Sequence, residues 1–85
     1  MAYFLYILYS KTGDRYYTGS SDDPGRRLAN HNTTEKGFTS RYRPWRIVFT
    51  KEYTDKKSAQ AAERKVKSWK SKKMIEKLLR GELSL

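Results

Sequence analysis

Apolar and polar positions fall into blocks along this chain, and each block predicts an element. Ala2–Ser10 (AYFLYILYS) is almost wholly aromatic and aliphatic. It is short for a helix, and its composition suits a strand buried on both faces. Lys11-Thr12-Gly13-Asp14 is a polar, glycine-bearing turn, and Arg15–Gly19 reads as the returning strand of a hairpin. Ser20–Asp23 are all potential capping residues and lead into Pro24, which fits a first helical position because its missing N–H would be unpaired there anyway. A helix is predicted from Pro24 to about Asn32, with Asp23 as its N-cap. Thr33–Pro44 lacks apolar periodicity and reads as a polar, basic loop. Trp45–Tyr53 (WRIVFTKEY) is a third strand. Thr54-Asp55 can cap a helix from Lys56 to about Trp69, on which Ala59, Ala62, Val66 and Trp69 form one apolar stripe. Ser71 can cap a last helix through Arg80, with Met74, Ile75, Leu78 and Leu79 inward and Gly81 as its stop. The order is β-β-α-β-α-α, a small sheet with helices against it.

Composition narrows what such a fold can be. At 85 residues the chain is expected to form one domain over 1–85, near the lower limit for folding without staples. It has no cysteine, so disulfides and thiolate metal sites are excluded, in keeping with a reducing cytoplasm. Seven Tyr, three Phe and two Trp supply the bulk a small core needs. No apolar run approaches membrane-spanning length, and the first residues show neither a basic flank nor a cleavage signature, so no secretion signal is expected.

Net charge is +10, unevenly placed. Residues 56–80 hold ten basic and two acidic side chains, a net of +8, against +3 (nine minus six) in residues 1–55. Such a segment favours polyanions, nucleic acid before an anionic membrane surface. A solvated lysine-rich helix face is the plainer alternative.

The candidate chemistry lies mainly in the first third of the chain. Tyr6 and Tyr17 sit on the two strands of the hairpin and face one side or opposite sides according to register. Arg27 and His31 are one helical turn apart. Glu63 lies about 40–60° off the apolar stripe of its helix, at the edge of the core. Two phenols, a guanidinium, an imidazole and one carboxylate suit metal-assisted phosphodiester cleavage. The carboxylate would hold a divalent ion and Arg27 would bind the phosphate. A tyrosine or the histidine would take a proton from water, and for a phenol this requires a lowered pKa, with Arg27 as the candidate cation. Each residue also has an ordinary reading: packed tyrosines, a surface histidine, a Glu63–Lys67 helix pair, an Asp23–Arg27 pair. Only the combination is distinctive.

That combination resembles a known family. Phe4-Leu5-Tyr6, then Tyr17-Thr18-Gly19, then Arg27-x-x-x-His31, then Ala62-Glu63-x-x-Val66-Lys67 is similar to the GIY-YIG nuclease domain, above all to its small stand-alone bacterial members. The likeness runs from about Tyr3 to Leu79. It implies an α+β fold, a three-stranded antiparallel sheet flanked by three helices. It implies Tyr6 as general base, Tyr17 orienting water or contacting phosphate, and Gly19 permitting close approach. Arg27 and His31 would contact the scissile phosphate, and Glu63 would be the one protein ligand of Mg²⁺ or Mn²⁺. The first motif's glycine and isoleucine are Phe4 and Leu5 here, the second motif's isoleucine is Thr18, and no asparagine follows Asn32. Larger relatives carry a separate DNA-recognition domain. Without one, DNA choice falls to the basic loop and helices, through Arg26, Lys36, Arg41, Arg43, Lys67 and Lys70, or to a partner protein. The expected role is a metal-dependent endonuclease in DNA repair or processing, located in the cytoplasm. A non-catalytic basic module, binding nucleic acid through phosphate contacts and any exposed ring among Tyr42, Trp45 and Trp69, is the alternative.

Overall fold

The computed structural model describes residues 2–33 and 42–85, with His31 and Thr33 described by backbone alone. The chain runs β1 (Tyr3–Ser10), β2 (Arg15–Ser21), α1 (Pro24–Thr33), β3 (Arg46–Tyr53), α2 (Lys56–Trp69) and α3 (Lys72–Leu79). The predicted order and class hold, and each helix starts where its cap residue was expected. The loop assigned to Thr33–Pro44, with Lys36 and Arg41, lies for the most part outside the described residues.

β1 is the middle strand, antiparallel to both neighbours in the order β2-β1-β3. Its apolar side chains on both faces dictate this place, since a middle strand can be covered on both sides while an edge strand keeps one border in solvent. Leu5, Tyr6, Ile7 and Leu8 are all 0–1% exposed. Leu5 and Ile7 face Ala62, Val66 and Leu78, the apolar stripes of α2 and α3. Tyr6 and Leu8 face the opposite way, toward Trp45, with Leu28 of α1 packed against them. The sheet thus lies between α1 on one face and α2 with α3 on the other. A bulge on β3 sets Val48 and Phe49 against Ile7, so both side chains join the α2 face while Ile47 opposite Leu8 joins the other.

Local chemistry fixes the ends of these elements. Asp23 accepts from the Arg26 N–H (3.1 Å), Asp55 from Ser58 (2.7 Å) and Ser71 from Met74 (3.4 Å), each relieving one orphan donor of a helix start. α3 ends at Leu79, one residue short of the expected Arg80, which instead is the C-cap. Gly81 follows at φ 80°, its N–H on the Leu78 carbonyl (3.1 Å), with the Glu82 N–H on the Lys77 carbonyl (2.9 Å). The paired bonds form a Schellman stop, and the positive φ explains the glycine.

Trp45 corrects a sequence expectation. It precedes β3 rather than opening it, and at 3% exposed it belongs to the Tyr6 core. It is therefore not a ring available for stacking on a base. Asn32 holds it there: its side-chain amide donates to the Trp45 carbonyl (3.0 Å), and its side-chain oxygen accepts from the Trp45 N–H (2.6 Å). This amide clamp ties the last turn of α1 to the entry of β3.

Candidate active site

Register settles which way the two tyrosines face. Tyr6 is paired with Gly19 and Leu8 with Tyr17, so Tyr6, Leu8, Tyr17 and Gly19 share one face. The phenol of Tyr6 lies across the bare α-carbon of Gly19, where a side chain would collide with its hydroxyl.

α1 delivers the guanidinium. Arg27 is half-buried and donates a hydrogen bond to the Tyr6 phenolic oxygen. Tyr17 and Glu63 also stand close enough to act electrostatically on Tyr6. Tyr6, Tyr17, Arg27 and Glu63, taken from four elements, therefore converge at the border of the sheet formed by β2. His31 follows Arg27 by one turn of α1, and its side chain is outside the description.

Burial decides the protonation of Tyr6. It removes the phenol from water and pushes its pKa above the ordinary value of 10.0. The Arg27 hydrogen bond works the other way and does not prevail, while Tyr17 and Glu63 push it further up. Arg27 thus does not bring the phenol down toward working pH in this state, and Tyr6 is a neutral donor around pH 7.

Glu63 reaches the site from α2. Its Oε1 accepts a hydrogen bond from Ser20 Oγ (2.6 Å), and its Oε2 is paired with Lys67 Nζ (2.6 Å). The ordinary helix pair is thus present, and the same ammonium lies 5.9 Å from the Tyr17 ring centroid. Ser20 was not foreseen as a site residue. The signal was alternation: following Gly19, it faces the α2 side of β2, where only a carboxylate at the core's edge needed a donor.

The described basic residues named from sequence fall in three places: α1, the entry to β3, and the end of α2. Arg26 is exposed and paired with Asp22 (2.8 Å). Arg43 is half-buried beside the Trp45 entry, and Lys67 and Lys70 are exposed on and just after α2. Lys36 and Arg41 lie outside the described residues. No helix among the described residues is long and apolar enough to cross a membrane.

A divalent ion fits this donor set in a limited way. Among the described residues no group of three His, Asp or Glu side chains gathers. A hard cation that keeps several waters and leans on substrate phosphate needs only one or two carboxylates, however. Glu63 offers one, oriented by Ser20. Its pair with Lys67 is of the i,i+4 kind, worth about 0.3–0.5 kcal/mol, too little to keep a dication away.

Comparison with known proteins shows the family. The GIY-YIG catalytic domain matches residues 2–77. The chain belongs to the GIY-YIG family, and the enzyme class this defines is a phosphodiester-hydrolysing nuclease, generally dependent on a divalent metal. The chain is similar to structure-specific endonuclease subunit SLX1 of Phaeosphaeria nodorum, 42% identical over 51 residues, and to slx1 of Pyrenophora tritici-repentis, 40% identical over 51 residues. Each alignment covers 54% of this chain and 14% of the relative, so the chain spans about a seventh of these relatives' length. It is also similar to the solution structure of the UPF0213 protein BH0048 from Bacillus halodurans, with a TM-score of 0.59 and 30% identity over 94% of this chain and 84% of that one.

Proposed function

We propose that the chain is an endonuclease acting on branched or otherwise interrupted DNA, with Tyr6, Tyr17, Arg27, His31 and Glu63 as its working groups and Mg²⁺ or Mn²⁺ as its metal. The observation that carries this reading is the convergence of Tyr6, Tyr17, Arg27 and Glu63 about Gly19. The structure-specific endonuclease relatives support a substrate recognised by its structure, for which branched DNA met in repair or processing is the reading taken here. A small domain offers few base-reading groups, which also favours shape over sequence. The word subunit in their names supports a protein partner here.

Arg27, with its planar fork, would hold the scissile phosphate against the Tyr6 phenol. Tyr6, protonated, would donate a hydrogen bond to a phosphate oxygen or to the attacking water, and Tyr17 would orient that water. His31 is the group whose ordinary titration range suits accepting the water's proton near neutrality, imidazole having a pKa of about 6.5. Glu63, steadied by Ser20, would hold a divalent cation that neutralises charge on the phosphate and the leaving oxygen. Lys67 would then be released toward the substrate.

The test is cleavage of supercoiled plasmid and of nicked, flapped and branched DNA with Mg²⁺ or Mn²⁺, comparing wild type with Glu63→Ala and Tyr6→Phe. The reading expects cutting by wild type, none by Glu63→Ala and slower cutting by Tyr6→Phe, with both variants folded. One observation favours a second reading, a binding module without turnover: the net charge of +8 over residues 56–80 suffices for binding to a nucleic-acid backbone. Binding without cutting in all three proteins, with either metal, would replace the first reading by the second.

A further inference from the structure

Next to the candidate site, a groove of about 360 Å³ runs between β2 and the turn joining α2 to α3. Arg15, Lys67, Lys70 and Lys72 line it against a single carboxylate, Asp14, together with Tyr16 and Tyr17. Tyr17 and Lys67 belong to the candidate site as well, so the two are continuous. β2 is an edge strand, and among the described residues the backbone on its outer side has no strand partner.

The cations differ in their commitments. Lys67 is paired with Glu63, and Lys72 with Asp14, which also accepts from the Tyr9 hydroxyl (2.7 Å). The Arg15 guanidinium lies 5.4 Å from the Tyr42 ring centroid. Lys70 has no ion-pair partner among the described residues. Its backbone is also unusual, at φ 49° and ψ 33° in the left-handed region just past α2. That conformation is penalised by a Cβ and is ordinarily filled by glycine or asparagine. Asp14, also left-handed (φ 50°), is of a type that tolerates it in a turn. Lysine is not, and Ser71 must cap α3 at once, so the chain has no freedom to relax there. A strained backbone that keeps a long cation, uncommitted, inside a basic groove points to the side chain's use.

We propose that this groove takes the single-stranded arm of a branched DNA substrate, with Lys70 holding a phosphate beyond the scissile one. The volume is near the low end of ligand cavities, about 300–1,000 Å³, and Tyr16 and Tyr17 on its wall offer ring faces for the unpaired bases of a single strand. The inference rests on the nuclease reading for what happens at Tyr6, but binding of the arm does not require turnover.

The test is fluorescence anisotropy of a labelled single-stranded oligothymidine against a salt series in EDTA, for wild type, Lys70→Gly, Lys70→Arg and the control Lys57→Ala. Lys57 lies exposed on the first turn of α2, outside the groove. Lys70→Gly is expected to melt at or above the wild-type temperature, because it relieves the left-handed residue, yet to bind roughly tenfold more weakly. Its slope of log affinity against log salt should be shallower by about 0.7, one phosphate contact on a single strand. Lys70→Arg should bind as wild type does, and Lys57→Ala should lose far less than Lys70→Gly. Wild-type affinity and slope in Lys70→Gly, or an equal loss in Lys57→Ala, would overturn the proposal. Because the assay contains no metal, a chain that binds the strand through Lys70 but never cuts DNA would sink the nuclease reading and leave the groove standing.

Discussion

A β-carbon on Gly19 would lie 2.5 Å from the Tyr6 hydroxyl and 2.7 Å from the ring carbon that bears it. Contacts that short force one partner to move. Tyr6 is 1% exposed and hydrogen-bonded to Arg27, so its ring has nowhere to swing. Gly19→Ala should therefore displace the phenol rather than merely crowd it. The expected cost is about 1–3 kcal/mol of stability, the range for overpacking a filled site. The larger effect should be on turnover, a fall of about 10²-fold, as a displacement near 1 Å can produce. Chemical denaturation and single-turnover cleavage check the two separately; a variant that is less stable but cuts at the wild-type rate would break the link between Gly19 and the phenol's position.

Glu63→Gln keeps the side chain's size and can still accept from Ser20, but it removes the charge. Loss of the i,i+4 helix pair with Lys67 costs little, about 0.3–0.5 kcal/mol. Cleavage should fall below detection with either metal, while DNA affinity in EDTA should hold or rise, since Lys67 is freed. Cleavage at more than a few per cent of the wild-type rate would remove Glu63 from the proposed metal site.

The elements were legible because each announces itself locally. Apolar runs made β1 and β3, capping residues opened the helices, and the stripe Ala59, Ala62, Val66 chose the inner face of α2. The relative facing of Tyr6 and Tyr17 was not legible, because it depends on register, and only the pairing of Tyr6 with Gly19 supplies that. The Tyr6 pKa was hidden for a related reason: the sequence names the cation beside the phenol, but not how completely the phenol is buried. Trp45 read as strand because its composition is strand-like; its place in the core depends on Asn32, thirteen residues earlier.

Asn32 gives a test of how α1 is held. Its amide satisfies both the N–H and the carbonyl of a residue 3% exposed. Asn32→Ala would remove both of these hydrogen bonds, at a cost of about 2 kcal/mol. It should also loosen the end of the helix that carries Arg27 and His31, so KM for DNA should rise along with the loss of stability. Asn32→Asp can still accept from the Trp45 N–H but cannot donate to its carbonyl, and should fall between the two. Urea titrations rank the three proteins; equal stability of Asn32→Ala and wild type would show that the clamp holds nothing.

The protonation of Tyr6 separates two accounts of the chemistry. Burial raises the folded-state pKa above the unfolded value of 10.0, so folding favours the protonated phenol. This contribution is complete below about pH 10 and is lost as pH rises through the folded value. Stability should decline on the alkaline side, and Tyr6→Phe, with no hydroxyl to ionise, should decline less steeply there. The same shift makes a phenolate base scarce near neutrality. If His31 accepts the proton, the cleavage rate should rise through about pH 6.5 and then level off, the ordinary range of an imidazole. Tyr6→Phe should then lower the plateau without moving its midpoint, because the phenol donates a hydrogen bond rather than titrating, and His31→Ala should remove the rise itself. A wild-type rate that instead climbs tenfold per pH unit from about 7 toward 10, and ceases to do so in Tyr6→Phe, would assign the base to the phenolate. In that case substrate and metal must bring down in the working complex a pKa that burial holds up in the free protein.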